Sequence, residues 1–384
     1  MKILFMADVP RDLSSGAAGT EVRTIEALRH LGHTVDEVWA PDLGRRIAHG
    51  NLHYLLELPR AYEKAAARHF ARNDYDVVHI NQPHGYRVAR WLRRHHKRAV
   101  MIHRSHGIEG HVDEVVAAWK RRSQGERRSL PRRLASSIIG RLLSRHMTAT
   151  ARNADGHIVS SSADASFLHD RFGIDEATIA VVPQAASDSF LTAPVSEYDD
   201  ARLRTVLYVG QFAFVKGPSV TAAAMNAIVE ARPDAHLIWV CHRDHHNDVR
   251  ALLSPEAIDR LELLHWTPND ALRLIYDRAG IFLFPSFFEG FGKAFLEAMS
   301  RGACVVATRV GGPADVLNDG VDGILIAPGD AQALTDGALL LMNDADRART
   351  MSAAAVETAH RYSWDRVARE TVAFYTRRLG ARFG

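Results

Sequence analysis

Cysteine is nearly absent: the 384 residues hold only Cys241 and Cys304, each inside an apolar run. That excludes a disulfide scaffold and fits a reducing compartment. No stretch approaches the roughly 18 apolar residues of a spanning helix, and Asp8 cuts the opening run MKILFMA too early for a signal-peptide core. A charge excess of one sign is also missing, with 48 Lys and Arg against 45 Asp and Glu. These absences describe a soluble, cytoplasmic protein. What is present suits a globular fold: 47% hydrophobic and 24% charged residues, over a length sufficient for two to three domains. The near-neutral total hides an asymmetry. Residues 87–152 carry 17 Lys and Arg against only Glu109, Asp113, Glu114 and Glu126. Such a block suits an anionic partner, a membrane surface or a phosphate.

Short apolar, β-branched runs alternate with helical patterns along the chain. Strands are expected within MKILFMADV and at Thr34–Ala40, Asp76–Asn81, Ala99–Ser105, Gly156–Ser161 and Ile179–Pro183. The loop RDLSSGAAG follows the first strand, and from Thr20 the residues Val22, Ile25, Leu28 and Leu31 recur at helical spacing before Gly32. The pattern pauses at 186–202 and restarts, with strands at Arg204–Gly210, Ala235–Cys241, Leu261–Trp266, Gly280–Pro285, Ala303–Thr308 and Gly323–Ala327. Alternation of this kind predicts an α/β fold of two doubly wound, Rossmann-like domains, 1–190 and 200–364, with a closing helix at 365–384 returning to the first. Ligands of such sheets sit at the carboxyl ends of strands, so the cleft between the domains is the expected site.

The most informative stretch is FPSFFEGFGKAFLEAMSRGACVVATRVGG, residues 284–312. A strand ends at Pro285, and Gly290 and Gly292 flank Phe291 just before a helix opening at Lys293. Glycines let the backbone approach a ligand, and the first helical turn offers free N–H groups to an anion. Glu289 stands before this turn and Glu297 about one turn into the helix. Either acid alone is an ordinary capping or surface residue. Together they suit hydroxyl groups on both sides of a phosphate, the layout of a nucleotide sugar.

These residues carry a resemblance. Glu289 and Glu297 within FFEGFGKAFLEAMSRG, then VVATRVGGPADVLNDGVDGILIAPGD, resemble the signature of the family 4 retaining glycosyltransferases with the GT-B fold. AGTEVRTIEALRHLGHTV, DYDVVHIN, SHGIE, VGQFAFVKG and YSWDRVARETVAFY resemble further motifs of that family in the same order. The resemblance implies a hexosyltransferase that uses a nucleoside-diphosphate sugar, UDP in preference to GDP, with retention, no metal or other cofactor, and the leaving diphosphate as base. It implies that Lys216 neutralises the diphosphate, Gly19 lets a loop close over it, Glu289 binds hydroxyls of the transferred sugar and Glu297 those of the ribose. His106 would touch the transferred sugar, with His103 a rival. Gln211, Gly290, Phe291, Gly292 and Lys293 complete the implied donor site.

Two departures stand out. Gln211 occupies a position where the family usually carries Arg, so one diphosphate cation is missing, with Arg23, Arg243 and Arg309 as substitutes. Ala18 replaces the first glycine of the usual pair. Other readings keep the frame: a nucleotide-sugar epimerase or hydrolase, or a binding protein without turnover. The acceptor stays open among glycan, lipid and small molecule. CHRDHHND at 241–248 groups Cys241 with His242, His245 and His246 but lacks the ligand spacing of a zinc site. The stretch 119–147 sets Leu134, Ile138, Leu142 and Leu143 against arginines, a pattern suited to the packed face of a helix or to a peripheral seat on an anionic membrane. No aromatic platform accompanies it, which disfavours nucleic acid.

Overall fold

Buried parallel strands read as unbroken apolar runs because helices cover both sheet faces, and each expected run forms a strand. In the computed structural model, which describes all residues but 14–15, 82, 123–129 and 384, and the side chains of all of these but 120–122, 130–138 and 383, the strands are slightly shorter than the runs. They are β1 (Lys2–Met6), β2 (Thr34–Val38), β3 (Val77–Asn81), β4 (Val100–Arg104), β5 (Gly156–Val159), β6 (Ile179–Val181), β7 (Thr205–Val209), β8 (His236–Cys241), β9 (Leu261–His265), β10 (Ile281–Phe284), β11 (Cys304–Thr308) and β12 (Ile324–Ile326). The chain divides into two compact units, Met1–Pro183 with the closing segment from Trp364, and Gln184–Ser363.

The first unit holds six parallel strands in the order β2-β1-β3-β4-β5-β6. Its chain order reverses between β1 and β3, so the loops leaving these strands diverge there and leave a crevice at their carboxyl ends. Around it lie α1 (Gly16–His30), α2 (Glu109–Arg122) and α3 (Leu130–Asn153). Helix α1 begins four residues before the apolar period does. Its first turn, Gly16–Gly19, is built of Gly and Ala, too small to show a period, while the Thr20 hydroxyl donates to the Gly16 carbonyl at 2.8 Å. The loop after β1 is correspondingly shorter than RDLSSGAAG. The closing helix, Trp364–Phe383, packs in this unit: Arg378 donates to the Asp155 carbonyl at 2.6 Å and Arg382 pairs with the Asp155 carboxylate at 2.8 Å.

The second unit also holds six parallel strands, ordered β12-β11-β10-β7-β8-β9, and reverses between β7 and β10. Its core gathers Leu207, Ile238, Phe282, Phe284, Phe291, Phe295 and Met299. The aperiodic stretch at 186–202 is ordered, not bare linker: it forms two short helices, Asp188–Thr192 and Asp200–Leu203, and buries Phe190 completely. No period could show in helices that short. They are held from outside by Arg301, fully buried, which donates to the carbonyls of Phe190 at 3.0 Å, Ala193 at 2.8 Å and Pro194, and pairs with Asp277 at 2.6 Å. Replacing it with leucine strands those carbonyls and one oxygen of Asp277, whose other oxygen keeps Arg273 at 2.6 Å. Truncating one member of a buried ion pair costs about 3–5 kcal/mol, so Arg301→Leu is expected to lower the melting transition of this unit by about 10 °C. Calorimetry showing a shift of under about 2 °C would refute the pinning role.

Candidate functional site

The second unit places most of the expected donor residues at its β7/β10 reversal. After β7 the chain passes through Gln211 and a single 3-10 turn, Phe214–Lys216, to α4 (Pro218–Ala231). After β10 it runs through Pro285–Gly292 to α5 (Lys293–Ser300). These loops are tied together: the Phe287 N–H donates to the Val215 carbonyl at 2.7 Å, and the rings of Phe214 and Phe287 stack at 4.9 Å. Gly217 sits where a Cβ would lie 2.2 Å from the Pro285 carbonyl oxygen, so only glycine permits this approach.

That tie brings together two residues 73 positions apart. Lys216 Nζ lies 2.6 Å from Glu289 Oε1, and the Ser286 hydroxyl donates to the same oxygen at 2.7 Å. The Glu289 side chain is only 5% exposed, whereas Lys216 keeps 27% of its surface open. One end of the pair is therefore locked in protein and the other faces outward. Beneath it, Gly311 at φ +52° would set a Cβ 2.1 Å from the Glu289 carbonyl oxygen. Gly292, at φ +85°, caps α5 in the left-handed region. Glycine meets both demands. The Thr308 hydroxyl donates to the Ser286 carbonyl at 2.6 Å and completes the support.

The remaining donor candidates fare differently. Glu297 is buried in α5 beside Tyr276, whose phenol is pushed well up by burial and then by that carboxylate. The Phe291 ring is 1% exposed and packs on Phe295, 5.5 Å between centroids. Its side chain belongs to the core, and its backbone shapes the turn. Gly290 is buried, Lys293 opens α5 half-buried, and Gln211 is exposed. Of the substitute cations, Arg309 is engaged with Asp319 at 2.8 Å, Arg243 stands exposed in the turn Arg243–His245, and Arg23 belongs to α1 of the other unit.

In the first unit His106 follows β4 and pairs with Glu21 of α1. Sequence reasoning missed Glu21, although its motif, AGTE, had been singled out for Gly19. The acid is 1% exposed. Burial pushes its carboxyl up, but His106, then His79 and Arg104, outweigh that and hold it below the usual range. Gly19 lies within α1 and not in a loop; a Cβ there would meet the Leu13 carbonyl oxygen at 2.6 Å, so its smallness serves the close pass of the preceding segment. His103 is buried beneath, with Nδ1 3.2 Å from Nδ1 of His157. His106, partly exposed, is the better placed to meet a ligand.

Among the described residues no three His, Cys, Asp or Glu side chains stand close enough to hold a metal. In CHRDHHND, Cys241 is buried while His245 stacks on Phe212 and pairs with Asp248 at 2.9 Å. Of the basic stretch, Arg141 and Arg145 are exposed and Leu142 and Leu143 half-buried; Leu134 and Ile138 lie outside the described side chains. Among the described residues no helix is long and apolar enough to cross a membrane.

Comparisons with known proteins agree with this fold. The family described as "Glycosyltransferase Family 4" matches residues 15–189, and "Glycosyl transferases group 1" matches residues 203–344. A D-inositol 3-phosphate glycosyltransferase of Corynebacterium urealyticum is 26% identical over 321 residues, 78% of this chain and 71% of its own. Among solved structures, sucrose-phosphate synthase of Thermosynechococcus elongatus superimposes with a TM-score of 0.77 at 21% identity, over 99% of this chain and 100% of its own. Anabaena HepE in complex with UDP gives 0.67 at 18% identity, over 97% and 99%.

Proposed function

This chain belongs to glycosyltransferase family 4, enzymes of the GT-B fold that transfer sugars from nucleotide donors, and on that premise we propose that it moves a hexosyl group from a UDP-sugar to an acceptor hydroxyl with retention and without a metal. The observation that carries the reading is the ion pair of Lys216 with Glu289 at the β7/β10 reversal. A diphosphate approaching the open side of Lys216 meets an ammonium already in place, with the N–H groups at the start of α5 beside it. Departure of the nucleoside diphosphate breaks the bond from the sugar's anomeric carbon to the phosphate oxygen and leaves charge on that oxygen. A fixed cation there stabilises the transition state more than the ground state. The acceptor oxygen bonds to the anomeric carbon on the same face, and its proton passes to the departing phosphate. Lys216 and the helix start supply the positive field that a divalent ion supplies elsewhere.

Glu289, held by Ser286, would accept hydrogen bonds from hydroxyls of the transferred sugar, and Glu297 would serve the ribose. His106, held by Glu21, would contact the transferred sugar. The UDP bound to Anabaena HepE supports uridine over guanosine. The name of the Corynebacterium relative, a D-inositol 3-phosphate glycosyltransferase, supports a phosphorylated cyclitol as the acceptor. With EDTA present, UDP at about 100 times its dissociation constant adds about 2.7 kcal/mol, which is expected to raise the melting midpoint by about 5–10 °C. A shift with GDP and none with UDP would overturn the base assignment. Loss of the UDP shift on adding EDTA would overturn metal independence, and a product anomer opposite to the donor's would overturn retention.

A further inference from the structure

The turn that leaves β4 and carries His106 is held by one buried carboxylate from another element. The helix Ser162–Phe172 follows β5 with Ser161 as its N-cap, and the Ser161 hydroxyl accepts from the Asp164 N–H at 3.4 Å. In a capping box the acid three residues after the N-cap turns back onto its own helix end. The oxygens of Asp164 go to the neighbouring helix instead. Oδ2 accepts from the Ile108 N–H at 3.4 Å, and Oδ1 lies 2.8 Å from His111 Nδ1. A carboxylate only accepts, so that nitrogen carries the proton. The Asp164 side chain is completely buried.

These two donors bracket the first turn of α2. The Ile108 carbonyl accepts from the N–H groups of His111 at 2.9 Å and Val112 at 3.0 Å, which makes Ile108 the N-cap and His111 the third residue of the turn. In a capping box those two positions bond to each other. Here Asp164 stands between them and bonds to both, its charge at the positive starts of two helices. The His111 ring also stacks on Phe167 of the same helix, 4.8 Å between centroids and 11° from parallel. Gly110 passes so close to α3 that a Cβ would lie 2.4 Å from the terminal methyl of Met147. The start of α2 is thus seated by its neighbours. His106 lies two residues before that N-cap, with its ring on Glu21, so where it stands follows from where Asp164 holds Ile108.

We propose that Asp164 is a positioning residue for sugar transfer: through the Ile108 N–H and the His111 ring it fixes the start of α2 and with it the place of His106. The inference rests on the transferase reading, in which His106 contacts the transferred sugar. Three variants test it. Asp164→Leu removes both acceptors. Asp164→Asn keeps both contacts, since its oxygen accepts from Ile108 while its amide donates to His111 Nδ1 in the other tautomer. His111→Phe keeps a ring on Phe167 and loses the hydrogen bond. Turnover is read with UDP-glucose and UDP-N-acetylglucosamine as donors and D-inositol 3-phosphate as acceptor. The His106 ring is read by NMR of the histidine-labelled full chain, with His106→Gln assigning its signals. Asp164→Leu is expected to lower kcat about 10- to 100-fold, the scale of an ångström's misplacement. KM for the donor should stay within about threefold, because the residues assigned to the diphosphate and ribose belong to the other unit. Asp164→Asn should keep kcat within about threefold. His111→Phe should lower it by about three- to tenfold, and it carries the test if Asp164→Leu does not fold. The His106 signals should move in Asp164→Leu and His111→Phe and stay in Asp164→Asn. Normal kcat in folded Asp164→Leu or His111→Phe, unmoved His106 signals in both, or a loss in Asp164→Asn as deep as in Asp164→Leu overturns the proposal. Moved signals in a chain that transfers no sugar before substitution leave the positioning standing and refute the transferase reading with that acceptor instead.

Discussion

Lys216→Ala is expected to lower sugar transfer by about 10²–10³, the loss seen when one preorganised charge-stabilising donor is removed from a reaction centre. The fall should appear mainly in kcat, since an ammonium aimed at the departing oxygen matters most once charge has developed there. The ammonium lies 2.6 Å from Glu289, and the Ser286 hydroxyl on the same oxygen stays after truncation. The carboxylate therefore keeps one donor. Lys216 is also partly open to solvent, so the folded state should lose little stability. Steady-state rates and a melting curve on the same preparation separate the roles. A large drop in the melting midpoint with near-normal turnover would make Lys216 a structural prop of Glu289.

Acid is expected to unfold the first unit before the second. Burial pushes His79 and His84 down to about 3 and His157 to about 4, and holds His103 well below its ordinary value. In the unfolded chain a histidine titrates near about 6.5. Below that pH the unfolded state binds protons that the folded state refuses, so stability falls as pH drops from about 6.5 toward the folded values. Each such histidine costs up to about 1.4 kcal/mol per pH unit in that window. Between about pH 7 and pH 5.5 the four together remove on the order of 5 kcal/mol, enough to unfold many domains. The second unit has no buried histidine among its described residues. Hydrogen exchange read by mass spectrometry across that range should show peptides of β1–β5 losing protection while those of β7–β11 keep theirs. Equal protection in both units at about pH 5 would mean these histidines are hydrated.

The strands were legible for a local reason. A strand buried on both faces must be apolar at successive positions, and ILFM in β1 or IFLF in β10 states that without reference to any neighbour. Helix ends made of Gly and Ala, and helices of four or five residues such as Asp188–Thr192, carry no period, so their place had to come from packing. That Phe291 lies between two glycines is local, but the environment of its ring is set by Phe295 and the core around it.

The residue types at the site were readable, but their partners were not. Sequence alone determined that a lysine-glycine turn follows one strand and that Glu289, followed by Gly290 and Gly292, follows another, an arrangement that suits a diphosphate-linked sugar. Only the tertiary structure decided that β10 lies next to β7, which brings Lys216 and Glu289 to one spot although 73 residues separate them. It likewise set Glu21 against His106 across 85 positions, and stood His103 against His157 so that one nitrogen is left bare. The physical reason is the same in each case: a parallel sheet orders its strands by crossover connections, and what lies side by side at their carboxyl ends follows from that order and from no local pattern.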